Sequence, residues 1–370
     1  MKNLFDTLYP DAETEEVQSL TARLKQQKKE AMAFDVTPMD PVIQTIRTED
    51  EFELKNGRFQ TIHNGQAFEC FFRYNTEYTD CLWVLLSATR PEGSPKPFFN
   101  RWKYMPYVRG HILLIADPMV DLYENLLTGW YYGNKEHCLA EDICEFVPIF
   151  AKKLGIPNDR IFFFGSSAGG YTSLYCGTGV KGSTAVAINP QIQLQLYWPG
   201  KVKELEQRVG VSLNDSDPFL RNDMLQRIVN TPESRYLIID NPFSPRDVLQ
   251  LTALENKFNV KIGYGIQKHR ENLITWLYWV EGERAHSIQD WSTMFPAIEH
   301  LARKFELNEE TEYLYRIFNE IWHDYQTSKE KSNALNTQIK DMQNASAKCA
   351  DTLSTLEAQI KELQDAAEKK

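Results

Sequence analysis

The chain has 370 residues, 42% of them hydrophobic and 12% aromatic, which accommodates an α/β domain of about 250 residues with extensions. Its formal net charge of −10 argues against nucleic-acid binding, because neutralising phosphates takes clustered Lys and Arg. The one short basic run, Lys25 to Lys29, has Glu15, Glu16 and Glu30 near it and reads as a solvated helix face. Six cysteines at 70, 81, 138, 144, 176 and 349 form no CxxC pair and no metal-like spacing with the seven histidines, so neither a metal nor a disulfide framework is expected. Buried reduced thiols fit a cytoplasmic compartment. The N-terminus lacks the apolar core of a signal peptide, and no run approaches the roughly 18 apolar residues of a membrane span.

In chain order, residues 11–34 read as a mostly polar helix with a narrow seam of Val17, Leu20 and Leu24. Short strands are expected at Ile43–Arg47, Arg58–His63 and Phe68–Tyr74. The Asn56-Gly57 and Asn64-Gly65 pairs between them signal hairpins and an antiparallel start. Strands and helices then alternate: Leu82–Leu86, a Pro/Gly-rich loop, His111–Ala116, a helix at Leu139–Leu154, Ile161–Phe164 and Ser183–Ile188. Residues 192–233 read as a helical insertion. Beyond it come a strand at Tyr236–Ile239, a helix capped by Ser244-Pro245 that runs to Phe258, strands at Val260–Ile266 and Leu273–Val280, and a helix at Ser287–Phe305. Alternating βαβ units predict an α/β fold: a mostly parallel sheet with helices on both faces.

The tail carries a different period. Leu314, Phe318, Ile321, Tyr325, Ser328, Ser332, Leu335, Ile339, Met342, Ser346, Cys349, Leu353, Leu356, Ile360 and Leu363 alternate steps of four and three, as a coiled coil does. Isoleucine at a with leucine at d favours a parallel homodimer, and Leu353 at a leaves a homotrimer open. The expected organisation is a helical extension at 1–40, an α/β domain at 41–307 with its insertion at 192–233, and an oligomerisation helix at 308–370.

The chemistry centres on Gly165-Ser166-Ser167-Ala168-Gly169-Gly170, set between a buried strand and a helix. In that context G-x-S-x-G reads as a nucleophile elbow, a turn so tight that only small neighbours fit around the serine. Ser167 needs a base and a group to orient it, and in this arrangement they follow in the order Ser, Asp or Glu, His. His286, between the last strand and the last helix, is the expected base, with His269 as its rival. Asp240, ending the Tyr236–Ile239 strand, is the preferred acid. Asp247 is the alternative, since its place in a first helical turn already has a structural explanation. The N–H groups of Ala168 and Ala88 are the expected oxyanion donors. Trp102, Trp130 and Tyr131, on aromatic-rich loops, are candidate sugar-stacking residues.

Over about residues 43 to 305 the chain resembles the α/β-hydrolase superfamily. Within that superfamily, Asp117-Pro118, Gly129-Trp130-Tyr131-Tyr132-Gly133, the GSSAGG run and Asn189-Pro190-Gln191 resemble proteins of bacterial capsule and surface-glycan gene clusters. Some of these are polysaccharide O-acetyltransferases. The resemblance implies an acyl-enzyme on Ser167 served by His286, no bound cofactor, acetyl-CoA as acyl-donor substrate and a glycan or other small acyl acceptor. The same residues suit a carboxylesterase or deacetylase, with water in place of the glycan. A non-catalytic hydrolase-like scaffold for surface-glycan biosynthesis is the third reading.

Overall fold

The computed structural model describes residues 42–48, 51–102, 105, 108–242, 244–278, 286, 291–309, 311–312, 315–316, 335 and 337–338. The chain divides into two compact units, Tyr9–Tyr315 and Met1–Leu8 with Arg316–Lys370. The expected N-terminal helix and nearly all of the expected coiled coil lie outside the described residues.

The described strands are β1 (Val42–Gln44), β2 (Gly57–His63), β3 (Gln66–Arg73), β4 (Leu82–Leu86), β5 (His111–Ile115), β6 (Ile161–Ser166), β7 (Thr184–Ile188), β8 (Arg235–Asp240), β9 (Gly265–Arg270) and β10 (Leu273–Leu277). They form one sheet in the order β1-β2-β3-β5-β4-β6-β7-β8-β10-β9. From β5 to β10 the neighbours run parallel. β4, β5, β6, β7 and β10 are buried at every position, which is why they read as continuous apolar runs rather than alternating ones. The helices are α1 (Pro118–Leu122), α2 (Leu139–Lys153), α3 (Ala168–Gly179), α4 (Pro199–Val209), α5 (Met224–Asn230), α6 (Pro245–Phe258) and α7 (Trp291–Lys304).

The core is aromatic where the first hairpin meets α2. Phe150 stacks on Phe52 and Phe59, and meets Phe72 edge-on with centroids 4.9 Å apart. The hairpin tip is clamped to the same helix: Asn64 Nδ2 donates to Asp142 at 2.8 Å, and His63 Nε2 lies 2.7 Å from the Glu145 carboxylate.

Two expectations about the sheet are corrected. Asn64-Gly65 does join an antiparallel hairpin, with positive φ at both residues as a two-residue primed turn demands. Asn56-Gly57 does not, because β1 pairs with β2 in parallel. Nor is Val260–Ile266 a strand over its length. The edge strand β9 begins at Gly265 and runs antiparallel to β10. It is only half-buried, so apolar continuity pointed a few residues too early.

The insertion holds α4 and α5, and Arg221 is one of several side chains that tie it to the domain. Arg221 donates to both Asp217 oxygens, at 2.9 and 2.7 Å. Its Nη1 reaches the carbonyls of Tyr132 and Asn134 at 2.6 and 2.8 Å. The guanidinium lies 4.0 Å over the Tyr132 ring and 4.8 Å from that of Phe219. From α3, Tyr171 donates its hydroxyl to the Arg221 carbonyl at 2.9 Å.

Candidate active site

β6 ends at Ser166 and α3 begins at Ala168, so Ser167 alone makes the turn. It does so at φ 54 and ψ −119, a region sparsely populated by non-glycine residues. Its backbone N–H is held by the Ile188 carbonyl at 2.9 Å. Close approach dictates the small residues around it. A Cβ on Gly165 would sit 2.3 Å from the Gly169 carbonyl oxygen, and one on Gly169 would sit 2.4 Å from that of Leu86. Gly165→Ala should therefore cost about 1–3 kcal/mol as an overpacked site, read as a fall in thermal midpoint. A midpoint unchanged from wild type would show that the turn has slack.

Three elements converge on the hydroxyl. His286 Nε2 lies 3.0 Å from Ser167 Oγ, and its Nδ1 lies 2.9 Å from both oxygens of Asp247. A carboxylate only accepts, so the imidazole proton sits on Nδ1 and Nε2 is left to accept from the serine. Asp247 is 3% exposed at its side chain, whereas His286 is 32% exposed. The imidazole is thus half-buried, and the carboxylate behind it is closed off from water. Ser167 also stands at the N-terminus of a buried helix, where the helix dipole favours negative charge.

The preference for Asp240 is corrected. Asp240 is fully buried and its Oδ1 accepts from its neighbour Asn241 N–H at 2.7 Å, while His286 Nδ1 donates to Asp247. Burial, and then the nearby Asp247 charge, push the Asp240 carboxyl well above the usual carboxylate range. The carboxylate that meets His286 projects from the first turn of α6 rather than from the end of β8. His269 is engaged elsewhere: its Nε2 lies 2.7 Å from Thr275 Oγ1 on the edge of the sheet.

Trp130 and Tyr131 are corrected as stacking surfaces. They are 2% and 0% exposed, so neither ring is open to a sugar. Both have φ near +50°, and both are hydrogen-bonded inward. Tyr131 accepts from Ser87 N–H at 2.8 Å and donates to the Ile115 carbonyl at 2.5 Å, tying the loop after β4 to β5. Trp102 is half-buried. Ala88 lies in that same loop after β4, whose Leu86 and Ser87 carbonyls flank Gly169.

A further residue reaches the nucleophile. Gln191 Nε2 donates to Ser167 Oγ at 2.8 Å, and its Oε1 accepts from Trp130 Nε1 at 3.0 Å. Behind Trp130, Tyr197 packs edge-on to its ring with centroids 5.9 Å apart. Burial raises the pKa of the Tyr197 phenol. One step away, Arg101 donates to Ser166 Oγ. The sequence signal for Gln191 was its place in the turn after β7, facing the elbow across neighbouring parallel strands.

The parallel sheet, its strand order and the strand–serine–helix turn make this an α/β-hydrolase-like fold. No family model matches the chain, and no curated protein matches it. Among solved structures, it is similar to a chain of the Glycosylation Associate Protein (Gap123) complex from Streptococcus agalactiae. That match has 18% identity and a TM-score of 0.51, and covers 67% of this chain and 47% of that one. The chain thus spans about half the length of that protein, and the likeness is one of fold. The capsule O-acetyltransferase of Neisseria meningitidis serogroup A aligns with 18% identity over 67% of this chain and 96% of its own, at a TM-score of 0.48. The acylaminoacyl peptidase of Pyrococcus horikoshii aligns with 12% identity over 70% and 44%, at 0.49. Among the described residues no helix is long and apolar enough to cross a membrane.

Proposed function

We propose that this chain is a serine-dependent acyltransferase working through Ser167, His286 and Asp247. The observation that carries the reading is the unbroken series of hydrogen bonds from Asp247 through His286 to Ser167 Oγ, at 2.9 and 3.0 Å, on a strained turn. His286 Nε2 takes the Oγ proton as Oγ attacks the acyl carbonyl, and Asp247 holds the imidazolium that results. Charge then gathers on the carbonyl oxygen, where the N–H groups of Ala168 and Ala88 receive it. His286 returns the proton to the leaving group, a thiolate if the donor is acetyl-CoA. A glycan hydroxyl, deprotonated by the same histidine, takes the acyl group from Ser167.

The acetyl donor and glycan acceptor rest on the resemblance of the Gly129–Gly133, GSSAGG and Asn189–Gln191 runs to surface-glycan proteins. The coiled coil expected at 308–370 would make the enzyme a homodimer or homotrimer. The test is intact-mass spectrometry after incubation with acetyl-CoA or p-nitrophenyl acetate. A gain of one acetyl group on wild type and none on Ser167→Ala is expected. Equal labelling of the two proteins would sink the assignment. Added glycan that speeds loss of the adduct supports transfer, whereas loss at an unchanged rate identifies an esterase.

A further inference from the structure

We infer that Gln191 is a catalytic residue whose carboxamide N–H holds the nucleophilic oxygen itself, separately from the donors that hold the substrate carbonyl. The inference rests on the serine-nucleophile reading above. Gln191 is 1% exposed and leaves β7 in a fixed turn: Asn189 has φ 44, its N–H bonds the Ile239 carbonyl at 2.8 Å, and its Oδ1 accepts from Tyr278 at 3.1 Å.

The orientation of the amide is settled by its partner. An indole N–H can only donate, so the atom facing Trp130 Nε1 is Oε1, and the atom facing Ser167 is Nε2. Trp130 is in turn locked by a left-handed backbone and by Thr172, whose hydroxyl donates to its carbonyl at 3.2 Å. A buried indole thus aims one N–H of Gln191 at Oγ.

Ser167 Oγ gives its proton to His286 and accepts from Gln191, and the two nitrogens around it stand 3.5 Å apart. As His286 removes the proton, the bond from Gln191 meets a charged acceptor and strengthens, the condition for a transition-state contribution. On attack, the Oγ electron pair forms the new C–O bond and the carbonyl pair moves onto its oxygen. In the second half the acceptor oxygen bonds to the same carbon, the C–Oγ bond breaks and its pair returns to Oγ, which regains its proton from His286. Gln191 faces Oγ each time charge sits there, so it serves both acylation and deacylation. Ala168 and Ala88 act on the other oxygen.

The experiment uses the full chain and p-nitrophenyl acetate, with the burst and the steady state measured across pH. Gln191→Ala should slow both phases by about 10²-fold, the effect of losing one oxyanion donor, with thermal midpoint close to wild type. Gln191→Glu keeps the shape and the bond from Trp130 but turns an acceptor toward Oγ. Its rate should fall at least as far near neutral pH, and its pH profile should shift to the acid side, because protonating the new carboxyl restores a donor. A residue that only braces the turn would produce no such shift. Trp130→Phe, which frees the amide, should fall between wild type and Gln191→Ala. The inference is overturned if Gln191→Ala acylates within threefold of wild type while Ser167→Ala does not acylate. It is also overturned if both Gln191 variants fail to fold, which would assign the residue to structure. Acylation of Ser167→Ala itself would instead overturn the function proposed above.

Discussion

Asp247→Asn is expected to lower the proposed acylation of Ser167 by about 10⁴-fold, the loss seen when a triad acid becomes an amide that cannot fix the tautomer. The reason lies in the Nδ1 contacts. An asparagine in that position can turn its own N–H toward the ring, which favours the tautomer with its proton on Nε2. That proton faces Oγ, and the base is lost although the geometry persists. Asp240→Asn is the paired variant. The hydrogen bonds of His286 Nδ1 go to Asp247 and not to Asp240, burial opposes the charged form of Asp240, and an amide oxygen can still accept from Asn241. Its acylation rate should stay near wild type. Stopped-flow release of p-nitrophenol reads both, and equal falls in the two variants would remove Asp247 from the mechanism.

Arg221→Met should destabilise the catalytic unit by about 3–5 kcal/mol, the penalty for leaving one member of a buried ion pair unpaired. Arg221 and Asp217 have side chains 2% and 5% exposed. Removing the guanidinium takes the charged donor from both carboxylate oxygens, which keep only the backbone N–H groups of Arg221 and Phe219, and from the carbonyls of Tyr132 and Asn134. Burial opposes the Asp217 charge, and the Arg221 hydrogen bonds and charge outweigh it, so that carboxyl sits below its ordinary value. At roughly 2–4 °C per kcal/mol for a unit of this size, the thermal midpoint should fall by roughly 6–20 °C. Asp217→Asn in the same background should cost little more, because the two side chains form one network. A midpoint lowered by only a degree or two would show that water replaces the guanidinium.

The parts legible in the sequence share a physical cause. Strands buried on both faces must be apolar throughout, so β4 and β6 announced themselves. A turn in which backbone passes within van der Waals contact must be built of glycine, so Gly165 and Gly169 marked Ser167. His286 followed from chain order alone. What stayed hidden depended on directions that only the folded chain defines. Asp247 looked like a dipole-favoured residue in a first turn. Yet it lies on the face of α6 that buries Gln250, Leu251, Leu254 and Phe258, and a carboxylate in that row was the available clue. Trp130 and Tyr131 looked like surface aromatics because their loop carries no periodicity; backbone strain turns them inward. Gln191 has neither charge nor period to set it apart.

The buried thiols bear on this chemistry as well. Cys70, Cys81, Cys138, Cys144 and Cys176 are all buried and free. Burial pushes Cys70 up, Cys81 to about 12 and Cys138 to about 11, and the hydrogen bond with Cys176, then burial, pushes Cys144 up. The thiolate, not the thiol, attacks carbonyl carbon, and these four groups stay protonated at neutral pH. An acyl group arriving as a thioester and parked on an oxygen could be lost to the first competing sulfur it met. The described cysteines are sheathed in the interior, so under the proposed mechanism an acyl group on Ser167 would wait for an acceptor from outside.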